Sequence, residues 1–230
     1  LGKMPGDNPE KFAGVRAFYT YMLTHPGKKL SFMGAEIGQW NEWHYEYSLD
    51  WHLLQYEPHK KLHAFFKAAN ALYLAESPLW EQDDSWQGFQ WLCADDNKAD
   101  TVAFLRWDRE GKPLIVVCNF SPVHRKGYYV GAPFAGTWSL IFNTDAEEFG
   151  GSGLGDTAPR KTGHTPWPAQ AHARAIDQPP LAAGNYRGAP RRPGRAVIRG
   201  ASNPPPPPPP PPPRPSPPLH PGGRPPPRGL

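Results

Sequence analysis

Apolar positions in the first eighty residues recur with a helical period in two stretches. Phe12, Val15, Tyr19, Met22 and Leu23 fall at offsets 0, 3, 7, 10 and 11, which places them on one face of a helix. Asp7 or Asn8 caps its start, Pro9 suits the first turn, and His25-Pro26-Gly27 stops it. Leu62, Phe65, Phe66, Ala69, Leu72 and Tyr73 predict a second helix from Pro58 to Ala75, with Pro78 closing the region. Between them, Lys29-Leu30-Ser31-Phe32-Met33 is short and mostly apolar, as expected of a strand covered on both faces. Gly34 to Tyr47 is a loop dense in Trp, Tyr, Glu and Asn. Helix, strand, loop and helix make one and a half units of an α/β barrel or doubly wound sheet.

Beyond residue 81 the period changes. Gly88–Cys93, Thr101–Trp107, Leu114–Phe120, Gly127–Val130 and Thr137–Phe142 are short, rich in β-branched and aromatic residues, and separated by turn residues. Asp95-Asp96-Asn97 and Asp108-Arg109-Glu110-Gly111 suit hairpin loops. Five strands at this spacing predict an antiparallel β-sandwich.

From residue 155 large apolar side chains are scarce, and Pro204–Pro213 is an unbroken run of ten prolines that favours polyproline II. Such a composition cannot bury enough apolar surface to offset ordering the chain, so 155–230 is expected to be disordered. Charge divides at the same place. Residues 1–150 hold 14 Lys+Arg and 19 Asp+Glu, whereas residues 151–230 hold 11 Lys+Arg and 2 Asp+Glu. The net charge of +4 therefore describes the tail, and a nucleic-acid reading from charge alone fails. No run of eighteen apolar residues predicts a membrane span, and LGKMPGDNPEKF lacks a signal-peptide core. Cys93 and Cys118 make no disulfide framework and read as two buried thiols in a reducing compartment. No CxxC, HExxH or glycine-rich phosphate loop occurs, so no metal or nucleotide cofactor is expected.

Chemistry concentrates in the loop after Met33, since loops at the carboxyl ends of strands carry function on α/β scaffolds. Glu36, Gln39, Trp40, Asn41, Glu42, Trp43, His44 and Tyr45 combine flat apolar faces with hydrogen-bonding groups. Sugar rings call for that mixture: a face to stack on, and hydroxyls to pair with carboxylates and amides.

The stretches LGKMPGD, KFAGVRAFYTYMLTHPGKKLSFMGAEIGQWNEW, YSLDWHLL, VCNFSP and NTDAEEFGGSG resemble the carboxyl end of the glycogen branching enzymes of the α-amylase superfamily, over about residues 1–155. The resemblance implies that residues 1–80 are the last part of a (β/α)₈ barrel and that 81–154 form the β-sandwich domain following it. It implies a glycosyltransferase that cleaves an α-1,4 glucan linkage and transfers the cut segment to a 6-hydroxyl, in cytoplasmic glycogen synthesis. It also implies a retaining mechanism that runs on paired carboxylates, with no cofactor. The family's nucleophile, acid–base and transition-state aspartate lie before Leu1, so this chain is expected to hold none of them and to be inactive alone. Glu36, Gln39, Trp40 and Glu42 are expected to contact glucan. Asp50 is expected to cap or pair structurally, and Asp83, Asp84, Asp95 and Asp96 to be solvated loop acids.

An incomplete barrel has a further consequence. The helices are expected to lose the sheet they pack on, to leave their apolar faces partly in water, and to fold poorly. In the tail, Gln178–Ala183 echoes the family's last strand, but Gly184-Asn185-Tyr186-Arg187 does not continue it. A shifted reading frame in GC-rich DNA accounts for that departure, as does a true proline-rich extension. Two alternative functions remain from the residues: a non-catalytic glucan-binding module, and an interaction protein whose Pro204–Pro213 run with Arg214 fits aromatic grooves. No specific nucleic-acid or membrane partner is expected.

Overall fold

In the computed structural model, residues 1–42, 44–155, 160–161, 176–178 and 182–190 are described. Helix α1 spans Asn8–Thr24. Asp7 accepts from the Glu10 N–H while the Glu10 side chain accepts from the Asp7 N–H, a capping box that satisfies two otherwise orphaned donors. His25, in an extended conformation ahead of Pro26, ends the helix. Helix α2 spans Glu57–Ala75 and carries Pro58 in its first turn. Phe12, Tyr19 and Leu23 of α1 bury against Leu62, Phe65, Phe66 and Ala69 of α2, with Phe142 and Phe149 completing the cluster. Each large side chain buried this way contributes about 1.5–3 kcal/mol. The apolar faces are therefore covered, contrary to the expectation that they would stand in water. Their cover is each other and the β-domain rather than a barrel sheet.

Five strands follow at nearly the expected positions: β1 (Phe89–Asp96), β2 (Thr101–Trp107), β3 (Pro113–Asn119), β4 (Arg125–Tyr128) and β5 (Gly136–Asn143). Three more are β6 (Arg160–Lys161), β7 (Ile176–Gln178) and β8 (Ala182–Pro190). The main sheet runs β1-β2-β3-β8-β5-β6, and β4 pairs with β7 in a two-stranded sheet. All pairing is antiparallel. Side chains alternate along β2 and β3, as the two-residue period demands. Ala103, Leu105, Ile115 and Val117 point to one face, where Val130, Ala132 and Trp138 cover them. Phe104, Val116 and Cys118 point to the other, where Tyr21 of α1 and Phe89 pack.

Three expectations are corrected. Lys29–Met33 is not a strand: it enters no β-ladder among the described residues, and Leu30, Phe32 and Met33 are exposed. A strand buried on both faces exists only where strands flank it, and among the described residues none lies beside this segment. Structure does not cease at residue 155, because β6, β7 and β8 lie beyond it. Gly184–Arg187 does continue a strand: β8 inserts between β3 and β5, pairing with both. Two flanking ladders hold a glycine-rich sequence that its own propensity would not. Pro204–Pro213 lies outside the described residues.

The helices are tied to the β-domain by polar contacts. Buried Arg16 donates through Nε to the Thr144 carbonyl at 2.7 Å. Asp145 accepts from the N–H groups of Ser152 and Leu154 and from the Ser152 hydroxyl, which folds NTDAEEFGGSG back on itself. A Cβ at Gly151 would lie 2.2 Å from the Asp145 carbonyl oxygen, so only glycine fits there. Among the described residues no helix is long and apolar enough to cross a membrane.

Candidate functional site

The loop between Met33 and α2 is built around a turn of 3₁₀ helix, Ala35–Ile37, with Gly34 and Gly38 on either side at φ of 78° and 63°. Both dihedrals favour glycine. A Cβ on Gly38 would also press within 2.7 Å of Leu62 Cδ2, so the loop lies directly on α2. His59 of α2 secures it by donating from Nδ1 to the Ile37 carbonyl at 2.7 Å.

The four residues expected to contact glucan take different positions. Glu36 is half-buried within the 3₁₀ turn. Gln39 bridges two limbs of the loop: its Oε1 accepts from the Asp50 N–H at 3.1 Å, and its Nε2 donates to the Asn41 carbonyl at 3.4 Å. Trp40 meets Phe12 and His59 edge-on, at centroid distances of 6.3 and 6.2 Å, with the Lys11 ammonium 5.9 Å from its ring. It keeps 36% of its surface exposed. Glu42 is on the surface in a 2.6 Å ion pair with Lys3. That hydrogen bond and charge hold its carboxyl below the usual range. Trp43 lies outside the described residues. His44 stacks on Tyr45 at 5.7 Å.

Of the four, Trp40 lines a cavity between the two helices. This cavity, of about 620 Å³, opens between the amino-terminal ends of the two helices, with walls that include Phe12, Arg16, Trp40, Tyr56, His59 and Phe149. Arg16 and Tyr56 were not singled out from sequence. They meet only because α1 and α2 pack side by side.

The acids are largely committed to structure. Asp50 accepts from the Asn41 amide at 3.3 Å, the pairing role expected of it. Asp84 and Asp95 are exposed. Asp96 and Asp83 are not simply solvated. Asp96 accepts from the Tyr128 hydroxyl at 2.9 Å. Asp83 pairs with Arg106 at 2.8 Å and Lys29 at 3.5 Å, with 23% of its side chain exposed. Arg106 projects from β2 on the Phe104 face and is wholly buried. It also donates to the carbonyls of Thr24, Leu79 and Gly88, at 2.6, 3.3 and 3.1 Å. Burial lowers the pKa of both Arg106 and Lys29, against the opposing pull of Asp83. Both thiols are free. Cys118 is fully buried and pushed up by desolvation, whereas Cys93 is only half-buried.

Comparison with known proteins gives this arrangement its relatives. Residues 91–187 match the alpha amylase C-terminal all-beta domain, a match that runs past Ala183 into β8. A 1,4-alpha-glucan branching enzyme GlgB of Pseudomonas fluorescens (strain Pf0-1) is 48% identical over 182 residues, covering 79% of this chain and 24% of that protein. The enzyme of the same name from Aquifex aeolicus is 47% identical over 182 residues, covering 79% of this chain and 29% of its own length. The chain thus spans about a quarter of the relatives it matches. Among solved structures, a Thermus thermophilus protein superposes with a TM-score of 0.53 at 17% identity, over 78% of this chain and 31% of that one. The catalytic module of a glycogen-degrading pneumococcal virulence factor superposes with a TM-score of 0.52 at 12% identity, over 80% of this chain and 32% of its own. At those identities the likeness is one of fold. With nearly half its residues shared with branching enzymes across four-fifths of its length, and an alpha amylase C-terminal all-beta domain at its centre, the chain matches a fragment of a glycogen branching enzyme.

Proposed function

We propose that the chain is part of a 1,4-α-glucan branching enzyme, which cuts an α-1,4 chain and transfers the segment to a 6-hydroxyl, making an α-1,6 branch during glycogen synthesis. The observation that carries this reading is the 48% identity over 182 residues to a protein of that name. Residues 1–80 are assigned to the end of a (β/α)₈ barrel and 81–154 to the all-β domain after it, with a Pro/Arg-rich tail beyond. Helices α1 and α2 are the barrel's outer layer in this reading. Leu30, Phe32 and Met33, exposed in the chain alone, belong to the barrel strand that forms once neighbouring strands are supplied.

Retaining transfer between sugars needs a carboxylate nucleophile and a carboxylic acid about 5–5.5 Å apart. Glu42, Asp50, Asp83 and Asp96 are each engaged by a partner of this chain. In this reading the longer protein supplies the three reacting acids, and the chain alone transfers nothing. Glu36, Gln39, Trp40 and Glu42 line the glucan cleft of the longer protein. It works in the cytoplasm on α-glucan and needs no cofactor, because paired carboxylates suffice.

A branch-linkage assay on amylose tests the reading in two arms. The purified 230-residue chain is expected to form no α-1,6 linkage, and a longer protein carrying this segment is expected to form them. Transfer by the chain alone overturns its inactivity. A folded longer protein that makes no branches overturns the assignment.

A further inference from the structure

We propose that His59 is a positioning residue for glucan binding: from α2 it fixes both the backbone of residues 34–40 and the pitch of the Trp40 ring. The inference rests on the branching-enzyme reading, in which Trp40 contacts glucan, and adds a residue that acts through Trp40 rather than on the sugar.

The backbone contact is the first observation. His59 is 5% exposed, and a polar ring so buried needs a partner. Its Nδ1–H finds one in the Ile37 carbonyl at 2.7 Å, at the short end of the N–H···O range. That carbonyl ends the turn that carries Glu36, between two glycines in the left-handed region. The turn closes on itself through the Gly38 N–H to the Ala35 carbonyl, at 3.1 Å, and the Gln39 N–H to the Gly34 carbonyl, at 3.0 Å. Glycines on both sides let the chain make this turn but leave it free to pivot. The bond from His59 ties it to a helix whose Leu62, Phe65 and Phe66 are locked in the core. Close approach points the same way. A Cβ on Gly38 would lie 2.7 Å from Leu62 Cδ2, 3.4 Å from His59 Nδ1 and 3.5 Å from Phe12 Cε1, so turn and helix meet with no room for a side chain between them.

The ring contact is the second observation. The same imidazole meets Trp40 edge-on, with centroids 6.2 Å apart and planes at 72°, and Phe12 at 5.0 Å and 82°. Phe12 in turn meets Trp40 at 6.3 Å and 87°. Three rings in mutual edge-to-face contact each limit how far the others can tilt. Trp40 is thus held at its backbone by the turn and at its ring by His59 and Phe12, while part of it stays exposed. A stacking ring already held in place loses little freedom when a sugar arrives, and that saving appears as affinity. Of the residues around Trp40, His59 contributes to both restraints, so its loss frees the backbone and the ring together.

The test is steady-state branching of amylose by a longer protein carrying this segment, measured well below the melting temperature of each variant. His59→Leu keeps much of the bulk and removes the donor. His59→Asn keeps an N–H donor at the place of Nδ1. We expect His59→Leu to raise KM about three- to tenfold, the worth of one buried hydrogen bond, with kcat nearly unchanged, the signature of lost binding shared by ground and transition states. His59→Asn should raise KM less. Gly38→Ala pushes the turn off α2 from the other side and should raise KM as His59→Leu does; it decides the matter where His59→Leu does not fold. The proposal is overturned if His59→Leu folds and leaves KM unchanged, whatever its melting temperature, since His59 is then structural only. It is overturned equally if the Asn and Leu variants raise KM alike, or if Gly38→Ala leaves KM unchanged. An unsubstituted longer protein that folds and makes no branches removes the branching reading and this inference with it, whereas an active one with unchanged KM in the variants removes this inference alone.

Discussion

Replacing Arg106 by Leu should be the most damaging single polar change in the chain. The guanidinium is wholly buried and gathers the end of α1 (Thr24), the turn at Leu79, the turn at Gly88 and the Asp83 carboxylate. Leucine fills much of the volume but donates nothing. A buried acceptor left without its donor costs about 1–3 kcal/mol, so three carbonyls at the low end cost about 3 kcal/mol. Asp83 loses less, since Lys29 still pairs with it and it is partly solvated. We expect R106L to lower the free energy of unfolding by about 3–5 kcal/mol, a large part of the roughly 5–15 kcal/mol typical of a domain. Asp83→Asn keeps all three carbonyl contacts and should cost only about 1 kcal/mol. Arg106→Lys should fall between them and stay measurable if R106L does not fold. Urea denaturation followed by far-UV circular dichroism and tryptophan fluorescence gives these numbers. A cost below about 1 kcal/mol for R106L, or an equal cost for D83N, would refute the reasoning, because the carbonyl contacts would then not be what holds α1 to the sheet.

Trp40→Ala in a longer branching enzyme should weaken glucan binding by about 1–3 kcal/mol; an unchanged Michaelis constant with a lower melting temperature would assign Trp40 to packing against Phe12 and His59 alone. Gly151→Ala should cost about 1–3 kcal/mol in thermal unfolding, since its Cβ meets the Asp145 backbone; an unchanged melting temperature would show that the turn yields freely. Burial raises the Cys118 thiol above its usual value of 9.0, so it stays neutral in the fold while the unfolded thiol ionises. Its contribution is complete below about pH 9 and is lost above it at about 1.4 kcal/mol per pH unit, so urea midpoints measured at about pH 7.5 and about pH 10 should fall further for the native chain than for Cys118→Val. Parallel declines in the two proteins would refute this.

Local pattern carried much of the fold. The spacing of Phe12, Tyr19 and Leu23 and a cap at Asp7 or Asn8 are properties of a few neighbouring residues, and α1 formed where they placed it. Strand β2 likewise forms over Thr101–Trp107 as expected. The failures came where strand identity is non-local. Lys29–Met33 has the composition of a buried strand but joins no sheet among the described residues, while Ala182–Pro190 lacks that composition and has a strand on each side. Backbone pairing decides between them, and neither sequence contains its own ladder.

The candidate site divides the same way. A loop rich in aromatic and polar groups is visible in composition, and so were Glu36, Gln39, Trp40 and Glu42 as types. Their division of labour was not. Gln39 and Asp50 stiffen the loop, Glu42 turns to Lys3, and Trp40 alone leans over the cavity. Arg16 carries no signal in the local sequence, because it is tied to Thr144, 128 residues away. Asp83 looked solvated for the corresponding reason: its partner Arg106 arrives from another element. A charged side chain that must be buried needs partners, and those partners are seldom near in sequence. Periodicity therefore finds apolar faces readily but leaves buried cations such as Arg16 and Arg106 to the tertiary structure.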